Sequence, residues 1–331
     1  VKLLSNIKSG LSSYFDWVAR WRSIPVKAWI DGAQLYQRGD FEKAAESYKR
    51  GLKSHPNNPA RVNALLDLSH CLFRLRRFEE AENYLKQTIS HFPKTREGYV
   101  RLARLQLWLG YAIEALWTMR ICVQRIAPDP EIATLFITAV VESKADAAVI
   151  SEARSLLSRV HYDAGGFPRL EVARARLELA GGDFESSRED LAKLAAQDRG
   201  PFEAVVSFAE VLISEGKLAY ARHHLHRALS AAPEHPRVLR LLARSYLTEG
   251  AFYEPDYAVQ LALKACQVTG WRGLHETYTL AQAYVASGDK VAALLAAMSA
   301  KKVAGRLIGG YPDIESLERF LQGEASESQA Q

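Results

Sequence analysis

One outline recurs along the chain and restricts what it can fold into more than any other feature. Gly39-Asp40-Phe41-Glu42 returns as Gly182-Asp183-Phe184-Glu185. A Gly stands five residues before a small residue at Gly39 and Ala44, Gly110 and Ala115, Gly182 and Ser187, Gly216 and Ala221, and Gly288 and Ala293; Gly250 and Ala258 are spaced three residues wider. A Pro often follows the small residue twelve positions on, as in Ala44 to Pro56, Ala81 to Pro93 and Ala221 to Pro233. From Gly182 to Gly216 to Gly250 each step is 34 residues. Such a period implies stacked units that touch only their neighbours. One core can then run through about eight of them, although 331 residues would by length alone suggest about two compact domains.

The units read as helix pairs. In the first, 25–58, Pro25 suits a first helical position, Gly32 and Ala44 let two helices approach closely, and Gly39 ends the first helix in a left-handed conformation. The second, about 62–95, keeps Ser69, Ala81 and Pro93 but has Arg76 where the turn glycine belongs. The third, 96–129, carries Ala103, Gly110 and Ala115. The fourth, about 130–167, is degenerate: Ala153 is its close-contact residue, and it runs into a joint at Gly165-Gly166-Phe167-Pro168. Units five (168–201) and six (202–235) are regular, seven (about 236–273) has an insertion around Tyr253-Glu254-Pro255, and eight (about 274–307) carries Ala281, Gly288 and Ala293.

With Gly32, Ala44, Tyr48 and Pro56 in the first unit and Ala209, Ala221, Leu225 and Pro233 in the sixth, the chain resembles the tetratricopeptide repeat family. The resemblance implies an all-α fold, a right-handed superhelical solenoid of about eight helix-turn-helix repeats over residues 25–309. Residues 1–24 read as an amphipathic helix, with Leu3, Leu4, Ile7, Leu11, Tyr14, Phe15, Val18 and Trp21 on one face. Two readings of it stay open: a cap on the first repeat, or a membrane-surface helix anchored by Trp17 and Trp21 with Lys2, Lys8, Arg20 and Arg22 around them. Residues 310–321 read as a short capping helix with Ile314, Leu317 and Leu321 on one side, and 322–331 as a disordered polar tail.

The resemblance also places a partner-binding wall on the first helix of each repeat. Carried onto this chain, that wall includes Trp29 and the candidate partner-binding residues Tyr36, Phe73, Arg74, Arg104, Trp108, Arg176, Arg240, Arg244 and Tyr278, with Arg169 and Arg237 beside them. Arg237, Arg240 and Arg244 fall on one helical face, where like charges are unfavourable unless something anionic answers them. That anion is either a partner's carboxylate, which a guanidinium grips in a bidentate fork, or Glu97, Glu203 and Glu210 of neighbouring helices. The family's carboxylate clamp for chaperone tails needs Asn and Lys where this chain has Trp29, Ala33, Leu66, His70, Val100 and Arg104, so a chaperone partner is not expected.

Nothing points to catalysis: G-x-S-x-G, H-E-x-x-H and a phosphate-binding glycine loop are missing. His223 and His226 lack a further ligand nearby, and Cys71, Cys122 and Cys266 form no metal-binding pair, so neither metal nor cofactor is expected. A net charge of +5 is too mild, and its arginines too mixed with glutamate, to favour nucleic acid. The expected function is a non-enzymatic scaffold in a bacterial-type cytoplasm that binds an extended or helical protein segment with acidic groups. The alternative is an assembly factor for envelope or polysaccharide machinery, docked on the inner membrane through residues 1–24.

Overall fold

The computed structural model describes residues 26–161, 166–197, 200–250 and 252–307. The stretches 1–24, with Trp17 and Trp21, 310–321 and 322–331 lie outside the described residues. Sixteen helices and no strand occur among the described residues. They are α1 (Lys27–Gln37), α2 (Phe41–Ser54), α3 (Arg61–Arg74), α4 (Phe78–His91), α5 (Arg96–Trp108), α6 (Ala112–Arg125), α7 (Pro130–Glu142) and α8 (Ala147–Ser158). The second half holds α9 (Pro168–Ala180), α10 (Phe184–Ala196), α11 (Phe202–Ser214), α12 (Leu218–Ala231), α13 (Pro236–Tyr246), α14 (Pro255–Val268), α15 (Leu274–Ser287) and α16 (Lys290–Ala304). They form eight consecutive pairs, and the chain divides into two compact units between Tyr99 and Val100, inside α5.

In the first unit α1 packs on α2, α2 on α3 and α3 on α4. The small residues sit where the helices come closest: Ala44 and Ala81 are fully buried, and a Cβ on Gly32 would stand 3.2 Å from the Tyr48 ring. The turn after α1 is closed by Asp40 N–H donating to Leu35 O at 3.0 Å, a geometry that requires φ +82° at Gly39. The next turn has the same bond, Arg77 N–H to Leu72 O at 2.9 Å, but Arg76 takes the left-handed conformation at φ 59° in place of glycine. Trp29 is a correction to the sequence reading. It does not line the inner wall but is wholly buried, with its indole against Gly51, where an added Cβ would lie 2.3 Å from Nε1.

In the second unit Ala115, Ala221, Ala258 and Ala293 are fully buried and Ser187 nearly so, and apolar side chains from α9 to α16 form one continuous core. The fourth pair departs from the pattern, since α9 packs chiefly on α7 and only lightly on α8. Lys144 supplies the left-handed turn residue there at φ 51°. The insertion in the seventh pair is held by Arg222, whose buried guanidinium donates to Ser245 Oγ at 3.1 Å and Phe252 O at 3.3 Å and stacks 4.2 Å over the Tyr246 ring.

Candidate functional site

In the first unit Tyr36 on α1 meets His70 on α3, with Tyr36 Oη 3.1 Å from His70 Nδ1. Phe41, the first residue of α2, packs edge-on to Tyr36 at 5.2 Å, and the Arg74 guanidinium lies 4.6 Å over the Phe41 ring. Phe73 packs against Phe78 at 5.4 Å. Arg74 and His70 are exposed, and among the described residues Arg74 makes no ion pair. Its neighbour Arg77 is committed to Glu80 at 2.6 Å and Glu42 at 2.9 Å. This is a small basic and aromatic surface with one exposed guanidinium over an aromatic ring.

The second unit treats its arginines differently. Arg176 pairs with Glu142, Arg237 with Glu210 and, at 3.1 Å, with Glu142, and Arg240 with Glu276 at 3.7 Å. Arg176 and Arg240 are buried, each beside its glutamate. Burial disfavours charge on Glu142, but Arg237 and Arg176 outweigh it and hold the carboxyl below the usual range. Glu210 is likewise lowered: burial opposes its charge, and Arg237 prevails. Burial raises Glu276, and Arg240 offsets this only in part. His235 and His275 are pushed down to about 4, by burial first, then by Arg237 and Arg240 respectively.

The other expected residues are scattered. Trp108 packs on His235 at 5.3 Å, and exposed Arg104 pairs with Glu131. Arg244 is exposed, and Tyr278 is half-buried. Arg169 pairs with Glu203 at 3.2 Å, one of the internal partners anticipated from sequence. Glu142 and Glu276 were not anticipated. A signal for the first was present: Trp108, Glu142, Arg176, Glu210 and Arg244 follow one another at 34-residue spacing, alternating in charge from Glu142 onward. Among the described residues no group of His, Cys, Asp or Glu could hold a metal, and no helix is long and apolar enough to cross a membrane. All three cysteines are buried, and burial pushes the Cys71 thiol up to about 12, as befits a core residue.

Residues 35–105 and 206–254 each match a family model described as tetratricopeptide repeat. This is a tetratricopeptide-repeat protein. Solved structures share the solenoid fold at low identity. One is a tetratricopeptide repeat protein from Parabacteroides merdae, with 15% identity and a TM-score of 0.52, covering 89% of this chain and 98% of its own. Yeast Tom70 gives 14% and 0.53, covering 93% of this chain and 66% of its own. A monomeric mutant of IFIT1, solved with Gppp-AAAA, gives 13% and 0.53, with 92% and 73% covered. No curated protein matches the repeat protein in sequence. At such identities the likeness speaks to the fold alone, and it is the repeat family matched at 35–105 and 206–254 that makes the chain in general terms a scaffold for interactions between proteins.

Proposed function

We propose that the protein is a non-enzymatic adaptor of a bacterial-type cytoplasm that grips an extended or helical segment of a partner protein, with Arg74 taking an acidic group. The observation that carries this reading is the exposed Arg74 guanidinium, laid over Phe41 with no carboxylate of its own among the described residues. A guanidinium grips a carboxylate through a planar fork of N–H donors, and contact with an aromatic ring limits the side-chain freedom lost on binding. Tyr36 and Phe73 stand beside it as apolar anchors, the residue type that dominates such contacts.

The test compares proteins retained from a native lysate by the intact chain and by the pair Tyr36→Ala and Arg74→Glu, at low and at moderate salt. Loss of a specific protein with the variant, and weaker retention by the intact chain as salt rises, is the expected outcome. Equal retention by both would remove Arg74 from the site.

A second reading rests on the amphipathic pattern of residues 1–24 with Trp17 and Trp21. It makes the protein an assembly factor at the inner-membrane surface. Co-sedimentation with anionic liposomes, lost on deleting 1–24, supports it, and co-sedimentation unchanged by the deletion opposes it.

A further inference from the structure

The second unit closes on itself. Leu274 N–H donates to Leu109 O at 3.1 Å, and Tyr111 Oη donates to Arg272 O at 2.6 Å across 161 residues of sequence. The turn of the third pair thus rests on the first turn of α15. Between Leu109 and Tyr111, Gly110 has φ +77°, and a Cβ there would stand 2.8 Å from His275 Cδ2. The segment that meets it is strained, because Gly270 and Trp271 are left-handed in succession, at φ 57° and 60°. A bulky residue rarely adopts that conformation unless the surroundings impose it.

Behind this contact stand three carboxylates, Glu142, Glu210 and Glu276, and three guanidiniums, Arg176, Arg237 and Arg240. Their charges cancel, but their hydrogen bonding is incomplete. Arg237 Nε, Arg240 Nε and Glu276 Oε2 are buried with no hydrogen-bond partner among the described residues. Buried donors left in that state favour any rearrangement that supplies an acceptor.

We propose that the second unit is a latched ring: the clasp of residues 109–111 on 272–275 shuts the arginine wall onto its own glutamates, and an acidic protein segment enters by displacing them when the clasp opens. The inference extends the reading of the inner wall as partner-binding. It assigns Glu142, Glu210 and Glu276 as internal stand-ins for partner carboxylates. The clasp joins the buried Leu109, Tyr111 and Leu274 through two hydrogen bonds beside a strained turn, and it is the element whose opening the proposal requires.

The test uses the full chain with two clasp variants, Gly110→Val, whose side chain meets His275, and Tyr111→Phe, which removes one bond. Hydrogen exchange of the Leu274 amide should quicken at least tenfold in both. A ten-residue polyglutamate peptide, followed by fluorescence anisotropy, should bind Gly110→Val at least tenfold more tightly than the intact chain, and adding Arg237→Met and Arg240→Met should abolish the gain. Unchanged exchange in a folded variant would show that no clasp exists. Faster exchange without tighter peptide binding would show that the interior is a structural core. If Gly110→Val loses helical circular dichroism, Tyr111→Phe decides by the same two measurements. Neither variant touches Arg74, so capture of a partner through the first unit stands or falls separately.

Discussion

Arg74 and Arg176 both lie on the first helix of a repeat, yet one is exposed over Phe41 and the other is buried against Glu142. Sequence ranks them as equals, and only the neighbours separate them. Removing one member of a mostly buried ion pair strands the rest, so Glu142→Gln should destabilise the second unit by about 2–3 kcal/mol in urea unfolding, somewhat less than the ~3–5 kcal/mol of a fully buried pair. An unchanged midpoint would mean that the pair is solvated. In the first unit Gly51→Ala drives a Cβ into the Trp29 indole and should cost about 1–3 kcal/mol by overpacking. Thermal unfolding within error of the parent would contradict the placement of Trp29 in the core.

At the scale of the element, the turns and close contacts were legible in the sequence because each is set by one residue. Gly39 and Gly110 stand at left-handed turns, and Ala44, Ala115, Ala221 and Ala293 at buried helix contacts, as their spacing implied. Arg76 was legible as an exception, and the structure shows its consequence, a left-handed arginine. Opposite substitutions should therefore have opposite signs. Gly39→Ala should lower stability by about 1 kcal/mol, and Arg76→Gly should raise it by a few tenths to about 1 kcal/mol, the relief of left-handed strain exceeding the entropy glycine adds to the unfolded chain. Melting temperatures moving in the same direction would overturn the turn assignment. Trp29 was misplaced because the first repeat puts glycine at position 51 and leaves a socket for the indole, a detail that a repeat-wide mapping averages away.

At the scale of the molecule, the closure of the second unit was not legible. It accumulates from a small rotation at every pair, and no single repeat encodes the meeting of Leu109 with Leu274. The glutamate partner of Arg176 was written in the alternation of charge at the 34-residue step, which becomes visible only when both signs are followed together. Acid should loosen this unit. His235 and His275 have folded values near 4, below the ordinary 6.5, so the unfolded chain binds more protons and stability falls as pH drops from 6.5 towards 4. Glu142 and Glu210, also lowered, add to the loss below about 4.5, whereas Glu276, raised, opposes it in part. Unfolding midpoints that stay level between pH 7 and 4.5 would contradict burial of the two histidines as neutral rings.

The claim that the exposed basic and aromatic surface of the first unit holds a partner segment is tested most directly by site-specific photo-crosslinking in the native cell. A photoreactive residue would replace Phe73 in one strain and Glu46, exposed on α2, in another. The account predicts one protein crosslinked from position 73, absent from position 46 and lost when Arg74→Glu is added. Crosslinks of equal yield from both positions, or a product at 73 that survives Arg74→Glu, would contradict it.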